Sequence, residues 1–406
     1  MKKDIDLFMK KNDVNAIVAT GSANNDSIMY YLLNGVNITA LFIKKYGRPA
    51  YIIHSAIERE EAMKTKLKSI GWEKFGINDI FGKYKDRIKA NAVLFDTVLR
   101  HFKVKGRVAF YGNASLGYGY NFLKQLRMIN KRIEILYEPE KSLITQVRMA
   151  KDKQEIERIK RVRNGVISAF DKTIEWARKM KVRNGTIYKD KKRKLLIRDL
   201  KKHISDELFR LGFVNSSGLI ISQGRDAGVP HNSGKDNEPV KTGKTIVFDI
   251  FPQEIGGGYY FDFTRTVCFG FASDNIKKEY EQVKQAQDIA FENLRIGRRT
   301  REVEKAVCKY FERNKHPTFL NYPGVQKGYC HSLGHGLGLN VHENPVFGLL
   351  KTNMDRLEKG MVFTIEPGLY YPEKGYGIRL EDVVYIDLRG RVINLTRYPR
   401  NLVVEM

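Results

Sequence analysis

Residues 245–266 read TIVFDIFPQEIGGGYYFDFTRT, two runs rich in β-branched and aromatic residues with Gly256, Gly257 and Gly258 between them. Runs of this kind form strands, and the glycines supply the turn that folds one back on the other. Each run carries one acid, Asp249 and Asp262, so a hairpin brings two carboxylates to one neighbourhood. An Asp flanked by Val247, Phe248 and Ile250 is costly to bury unless it is paired or holds a cation. The pair is therefore the first candidate site, and its hairpin the first element of the fold.

Reading outward toward the C-terminus, residues 330–345, CHSLGHGLGLNVHENP, place His331, His335 and His342 among Gly334, Gly336 and Gly338, where small residues let backbone and imidazoles crowd around a ligand. Glu366 in VFTIEPGLYY and Glu381 in YGIRLEDVV each end an apolar run. Four carboxylates and one histidine form an oxygen-rich set, better suited to a pair of divalent cations than to one tetrahedral zinc. Two other motifs fail on the residue that performs the chemistry. Gly243-Lys244-Thr245 lacks the first glycine of a phosphate loop, Glu238 standing there, and His331 and His335 lack the intervening glutamate of a zinc protease, with Ser332 in its place.

The flanking pattern sets the fold class. Helical and strand-like patterns alternate over the first half: helices over 4–11, 26–33, 57–69, 88–102 and 120–129, strands over 15–19, 38–53 and 107–111. His54 and His101 stand alone there and read as structural. A long helical pattern follows 138–149, which places a boundary between a domain of 1–142 and one of 143–406. The second half reads as α+β, with helices to about 211 and over 275–294 and 300–314, and strands over 218–222, 245–251, 259–269, 361–365 and 383–388 in a mostly antiparallel sheet.

Composition bounds the function. With 406 residues, 42% hydrophobic and 29% charged, the chain has ample material for a core, and disorder as the main state is excluded. No apolar stretch approaches the ~18 residues of a membrane span, and the mixed Asp and Lys of the N-terminus give no signal peptide, so a cytoplasmic location is expected. Cys268, Cys308 and Cys330 are odd in number and widely spaced, which argues against a disulfide framework. The charge of +26 makes a field that attracts polyanions without specificity. Residues 178–202, the densest basic segment, carry Leu195, Leu196, Ile197 and Leu200 at roughly helical spacing and are expected to form the solvated face of an amphipathic helix. Nucleic acid is not the expected partner, although the charge leaves that contact open.

Asp249, Asp262 with its Thr-Arg-Thr tail, the block from His331 to Glu343, Ile365-Glu366-Pro367-Gly368 and Arg379-Leu380-Glu381-Asp382 resemble the five-part signature of the pita-bread metallopeptidases, in particular the prolidase and aminopeptidase P branch. The resemblance covers 150–406 and, more loosely, the first half, which is similar to a creatinase-type N-terminal domain. It implies two divalent ions, Mn or Co with Zn or Fe also tolerated. Asp249 would chelate one, Asp262 and Glu381 bridge both, and His335 and Glu366 complete the other. It implies catalytic roles for Glu366 as proton relay, His342 as oxyanion partner and His231, and a substrate pocket lined by His231, His331, His342 and Arg379. For Arg379, an ion pair with a ligand acid is an equal alternative. The implied reaction is hydrolysis of the bond preceding proline in Xaa-Pro dipeptides. The alternatives are release of the N-terminal residue from Xaa-Pro peptides, and a non-catalytic relative that binds nucleic acid or histones. Short proline peptides as substrates and a homodimer follow from the same resemblance. Two departures stand out. Asp249 and Asp262 lie thirteen positions apart, two more than expected, so the 252–258 tip should be an enlarged loop or carry a bulge. Ser217 stands about where relatives carry an aromatic.

Overall fold

The computed structural model describes residues 4–138 and 141–406. The chain divides into two compact units, Met1–Arg148 with Gly256–Gly258, and Met149–Ile255 with Tyr259–Met406.

In the first unit the described residues form a six-stranded sheet in the order Lys68–Gly71, Ala50–His54, Thr39–Lys45, Ala16–Ser22, Gly106–Gly112, Ile133–Ile135. Ala16–Ser22 pairs antiparallel with Thr39–Lys45 and parallel with Gly106–Gly112, so the sheet is mixed. The helices Arg87–His101 and Leu116–Ile129 bury Leu94, Phe95, Val98, Leu99, Phe122 and Leu126 against it. The helix expected over 57–69 is cut short. Arg59–Lys64 is helical, Lys66 turns the chain at φ 58°, and Lys68–Gly71 joins the sheet as a parallel edge strand.

The second unit is built on two sheets. One runs Ile220–Gln223, Thr245–Ile250, Phe263–Phe269, Val403–Val404, and the other Glu343–Val346, His335–Gly336, Val362–Ile365, Asp382–Ile386, Val392–Asn394. A bridge between Thr264 and Glu381 connects them. Every residue of Thr245–Ile250 and of Phe263–Phe269 is buried, so the polar members Asp249, Thr264, Arg265 and Thr266 must each find a partner inside. Helix Lys153–Arg178 starts at a capping box between Asp152 and Glu155. Helix Asp274–Asn293 buries Ile276, Tyr280, Val283, Ala286 and Ala290 at helical spacing, and Thr300–Arg313 buries Val303, Val307 and Phe311 in the same core. Full burial of an aliphatic or Phe side chain contributes about 1.5–3 kcal/mol.

Arg265 holds the two sheets together from inside. Only 1% exposed, it donates from Nη1 to the carbonyls of Thr264 (2.9 Å) and Glu381 (2.8 Å), from Nη2 to Asp382 Oδ1 (2.7 Å) and the Tyr398 carbonyl (3.1 Å), and from Nε to the Pro399 carbonyl (3.1 Å). Its guanidinium lies over the Phe263 ring at 4.7 Å.

Two sequence expectations are corrected in this unit. The strand expected over 259–269 begins at Phe263, because the preceding residues form an enlarged loop with its own short ladder: Gln253–Glu254 pairs with Phe213–Val214, and Gln253 bridges to Tyr260. The basic segment 178–202 is not one helix. Lys181–Arg183 and Thr186–Tyr188 form a hairpin around Asn184 (φ 47°) and Gly185 (φ 70°), and the helix starts only at Ile197. Two central residues at positive φ are what a type I′ hairpin turn requires, and Asn-Gly provides them at least cost.

Candidate metal centre

Strand register brings the acids together. Asp249 lies opposite Thr264, and Thr264 is bridged on its other side to Glu381, so Thr264 sits between two carboxylates. Its hydroxyl donates to Glu381 Oε2 (2.7 Å) and accepts from Arg379 Nε (3.2 Å). Asp262 immediately precedes this strand. On the second sheet the His335 amide donates to Thr364 Oγ1 (3.1 Å), and Thr364 Oγ1 donates to Glu366 Oε1 (3.2 Å). His335 Nδ1 faces its neighbour's carbonyl, Gly336 O, at 3.1 Å, which turns Nε2 toward Glu366 Oε1 at 3.3 Å and Asp262 Oδ2 at 3.8 Å.

The donor atoms of Asp262, His335 and Glu381 all lie within 4.8 Å of one another. Asp249 is held differently, in an ion pair with Arg379 Nη2. Arg379 is 3% exposed and also donates from Nη1 to Tyr370 Oη (2.9 Å) and to the Pro230 carbonyl (3.3 Å), so it ties the loop before His231 to the site. The ion pair with a neighbouring acid, one of the two roles expected for Arg379, is formed.

The electrostatics follow from three buried carboxylates, Asp249, Asp262 and Glu381, and the partly buried Glu366, facing one guanidinium and one imidazole. Burial, reinforced by Glu381 and Asp249, pushes Asp262 well above the usual carboxylate range. Burial and the charge of Glu366 push Glu381 up to about 8. Burial also raises Asp249, against the pull of Arg379. For His335, burial favours the neutral ring, but the hydrogen bond and charge of Glu366 outweigh it and hold the ring up to about 9. The reciprocal interaction overcomes burial at Glu366 and draws it down to about 2. Asp262 Oδ1 and Glu381 Oε1 are buried and accept no hydrogen bond within the protein. Orphaned carboxylate oxygens beside a histidine nitrogen fit divalent cations, which would be held by these side chains and would relieve the charge.

The remaining predicted residues surround this core. His331 Nε2 meets Tyr370 Oη at 2.8 Å and Nδ1 meets the Ser332 carbonyl at 2.8 Å, while burial lowers its pKa against the charge of Glu366. His342 is exposed and stands edge-on to His335 with ring centroids 4.4 Å apart, and burial of part of the ring and the charge of His335 lower its pKa. His231 is exposed on the loop after Pro230, near enough for its charge to bear on Asp249, His331 and His342. Ser217 is exposed and meets Tyr260 Oη at 3.4 Å, with Ser216 at 3.0 Å, so Tyr260 places an aromatic beside the serine.

Residues 157–387, more than half of the chain, match the metallopeptidase family M24. The chain belongs to this family. The fold agrees: a Bacillus anthracis Xaa-Pro dipeptidase superposes with a TM-score of 0.75 at 22% identity over 100% of this chain and 99% of that one. An X-Pro aminopeptidase of Thermotoga maritima superposes with a TM-score of 0.73 at 22% identity over 98% and 100%. In sequence, the Xaa-Pro dipeptidase of Pyrococcus horikoshii is 26% identical over 99% of this chain and 98% of that protein. Curated relatives with higher identity, 36% and 31%, are matched over about half of their length, 51% in each case.

Several residues of this M24 chain carried no assigned role in the sequence reading. Thr264 and Tyr370 connect the acids to Arg379 and His331, as described. Gln287 Nε2 donates to the carbonyls of Ile365 (3.2 Å) and Leu380 (3.3 Å), the residues just before Glu366 and Glu381. Glu304, fully buried on Thr300–Arg313, accepts from the Leu333 amide (2.6 Å) and the Tyr329 hydroxyl (2.7 Å), gripping the chain two residues to either side of His331. Burial pushes this carboxyl up to about 7. Tyr370 had a local signal, four residues after Glu366 in a strand. Gln287 and Glu304 had none, being single polar residues in amphipathic helices.

Gly334 is required by close approach, since a Cβ there would lie 2.0 Å from the Thr364 carbonyl oxygen. Gly334→Ala is expected to destabilise the protein by about 1–3 kcal/mol and to weaken metal binding by shifting His335. Denaturant titration together with metal calorimetry checks this, and an unchanged midpoint would show that the two strands can separate freely.

A pH dependence follows from the acids. A carboxyl raised in the folded state holds its proton while the unfolded chain has released it, so folding loses stability as pH rises from the ordinary value of 4.5 through about 8 for Glu381. His335, raised from 6.5 to about 9, adds to the same loss above pH 6.5. The chelated protein is therefore expected to lose several degrees of melting temperature between pH 6 and 9, and added Mn to restore more of it at the higher pH. A chelated melting temperature that rises over this range would contradict the assignment.

Proposed function

We propose that this M24 chain is a dinuclear-metal-dependent peptidase that cleaves the bond before proline in Xaa-Pro dipeptides. The observation that carries this reading is the cluster of Asp262, His335 and Glu381, with orphaned oxygens on Asp262 and Glu381, Glu366 in contact with His335 and Asp249 beside them on Arg379. Support for the substrate class comes from the Pyrococcus horikoshii Xaa-Pro dipeptidase, aligned over nearly the whole of both chains.

Divalent cations bound here, Mn or Co in this reading, lower the pKa of water and polarise an amide carbonyl. The protein's own residues supply the rest. Glu366, ionised and hydrogen-bonded by His335, can take a proton and pass it to the departing proline nitrogen, which is tertiary in the substrate and needs that proton to leave. His342, exposed beside His335, can donate to the oxygen that gains charge. His331 and His231 form the walls of the prolyl pocket. Arg379 keeps Asp249 oriented and opposes the rise that burial imposes on it, and through Tyr370 fixes His331. The reading includes a cytoplasmic homodimer, which light scattering tests.

Release of the N-terminal residue from longer Xaa-Pro peptides remains the second reading, because the fold matches the Thermotoga X-Pro aminopeptidase almost as well. The deciding experiment strips the protein with chelator, restores Mn or Co, and compares a Xaa-Pro dipeptide with a Xaa-Pro-Yaa tripeptide. Metal-dependent cleavage of the dipeptide alone supports the proposal, tripeptide cleavage transfers the assignment to an aminopeptidase, and cleavage of neither removes both.

A further inference from the structure

The basic hairpin is not used by the metal centre, and its register organises its charge. Lys181 pairs with Tyr188 and Arg183 with Thr186 across the hairpin, while on the other side of Thr186–Tyr188 isolated bridges join Thr186 to Lys241 and Tyr188 to Lys194. Directly paired residues of antiparallel neighbours point to the same face, and residues two apart on one strand share it. Two rows therefore lie side by side on one face, Lys181–Tyr188–Lys194 and Arg183–Thr186–Lys241. Ile187, fully buried, marks the opposite face as the one packed inward.

All four cations of these rows are exposed, and among the described residues none forms an ion pair. The nearby acids are engaged elsewhere, Asp190 with Arg193 (2.5 Å) and Asp199 with Lys189 (2.8 Å). The Arg183 guanidinium lies 5.5 Å from the centre of the Tyr188 ring. Lys191 and Lys192 extend the charge, exposed in the loop that follows.

We propose that this face binds single-stranded nucleic acid, the four cations meeting phosphates and Tyr188 stacking on a base. A basic surface that follows a phosphate chain, with an aromatic ring between its cations, is the general chemistry of single-strand binding. A ring used for stacking needs unpaired bases, which selects single strands over duplex. The two rows carry no aliphatic side chain to insert into a membrane. The proposal is independent of the peptidase reading.

The test uses the full chain and a labelled random-sequence 20-nucleotide RNA, read by fluorescence anisotropy. Four phosphate contacts predict about 20-fold weaker binding at 0.15 M than at 0.05 M salt. Replacing Lys181, Arg183, Lys194 and Lys241 together by Ser is expected to weaken binding at 0.05 M salt at least ~10-fold and to reduce the salt slope by about 3. Tyr188→Ala is expected to cost about 10-fold with the slope unchanged. A control of equal charge change, Lys278, Lys305, Lys309 and Arg313 to Ser, should stay within about twofold. Thermal melts establish that each variant is folded, and Lys194→Ser with Tyr188→Ala carries the test if the fourfold variant is not. The proposal is overturned by absence of binding at 0.05 M salt, by equal weakening in the control, by duplex RNA competing as well as single strands, or by tighter patch-dependent binding to phosphatidylserine vesicles.

Discussion

Glu381→Gln is expected to lower kcat/KM for a Xaa-Pro dipeptide by about 10³-fold or more, beyond the 10–100-fold that losing a group behind a metal ligand costs. Glu381 is 2% exposed, its Oε2 is already satisfied by Thr264, and its Oε1 faces the cluster without a protein partner. Gln keeps the volume and can keep the acceptor toward Thr264, so what is lost is the negative charge and one ligand oxygen. The same change should act oppositely on the metal-free fold. Wild-type Glu381 is held up to about 8 by burial and the charge of Glu366, so at alkaline pH the unfolded chain has gained more from releasing this proton than the folded one. The amide never ionises, so in chelator at pH 8.5 the variant should melt higher than wild type, by several degrees. Activity and stability thus move in opposite directions, which general misfolding cannot produce. Full metal content with activity within tenfold of wild type would remove Glu381 from the ligand set.

The second large effect is on stability. Arg265→Ala is expected to cost about 3–5 kcal/mol, the penalty for removing one partner of a buried charge pair. The loss falls on Asp382, whose ion pair at 2.7 Å is broken, and on the carbonyls of Thr264, Glu381, Tyr398 and Pro399. Lys cannot replace it, because an ammonium lacks the planar fork that reaches five acceptors. Since Arg265 spans the contact between the sheets that carry Asp262 and Glu381, metal affinity should fall with it. Urea unfolding of the chelated protein measures the stability term directly. A cost under about 1 kcal/mol would mean that the pair behaves as an exposed one.

The sequence revealed the acids of the centre better than the groups that orient them. Asp249, Asp262, Glu366 and Glu381 stood out because each interrupts an apolar run, and burial of such a residue demands a reason wherever the chain goes. Thr264 and Gln287 carry no such cost on paper. Their roles come from register, Thr264 lying between Asp249 and Glu381 and Gln287 reaching two carbonyls from a helix, and register is a property of the whole sheet. The α+β reading of the second half held because its strands are long apolar runs. It failed locally at 178–202, where Leu195, Leu196, Ile197 and Leu200 suggested a helix. Asn184-Gly185 between Arg183 and Thr186 was the stronger local signal, and the conformation at positive φ decides the hairpin whatever the later spacing. At 57–69 the helical period was real for six residues and ended at Lys66, where no Gly or Pro announced the reversal.

The bridge from Thr264 to Glu381, sealed by a hydrogen bond across 117 positions, also sets an order of events. Contacts so distant along the chain form late, after most of the loop-closure entropy has been overcome. A ribosome that has released the hairpin and the histidine segment has not yet released the last acid. Small zinc domains fold because metal gathers their ligands; in the reading proposed above the order is reversed, and metal uptake would report that the two sheets of the second unit have joined.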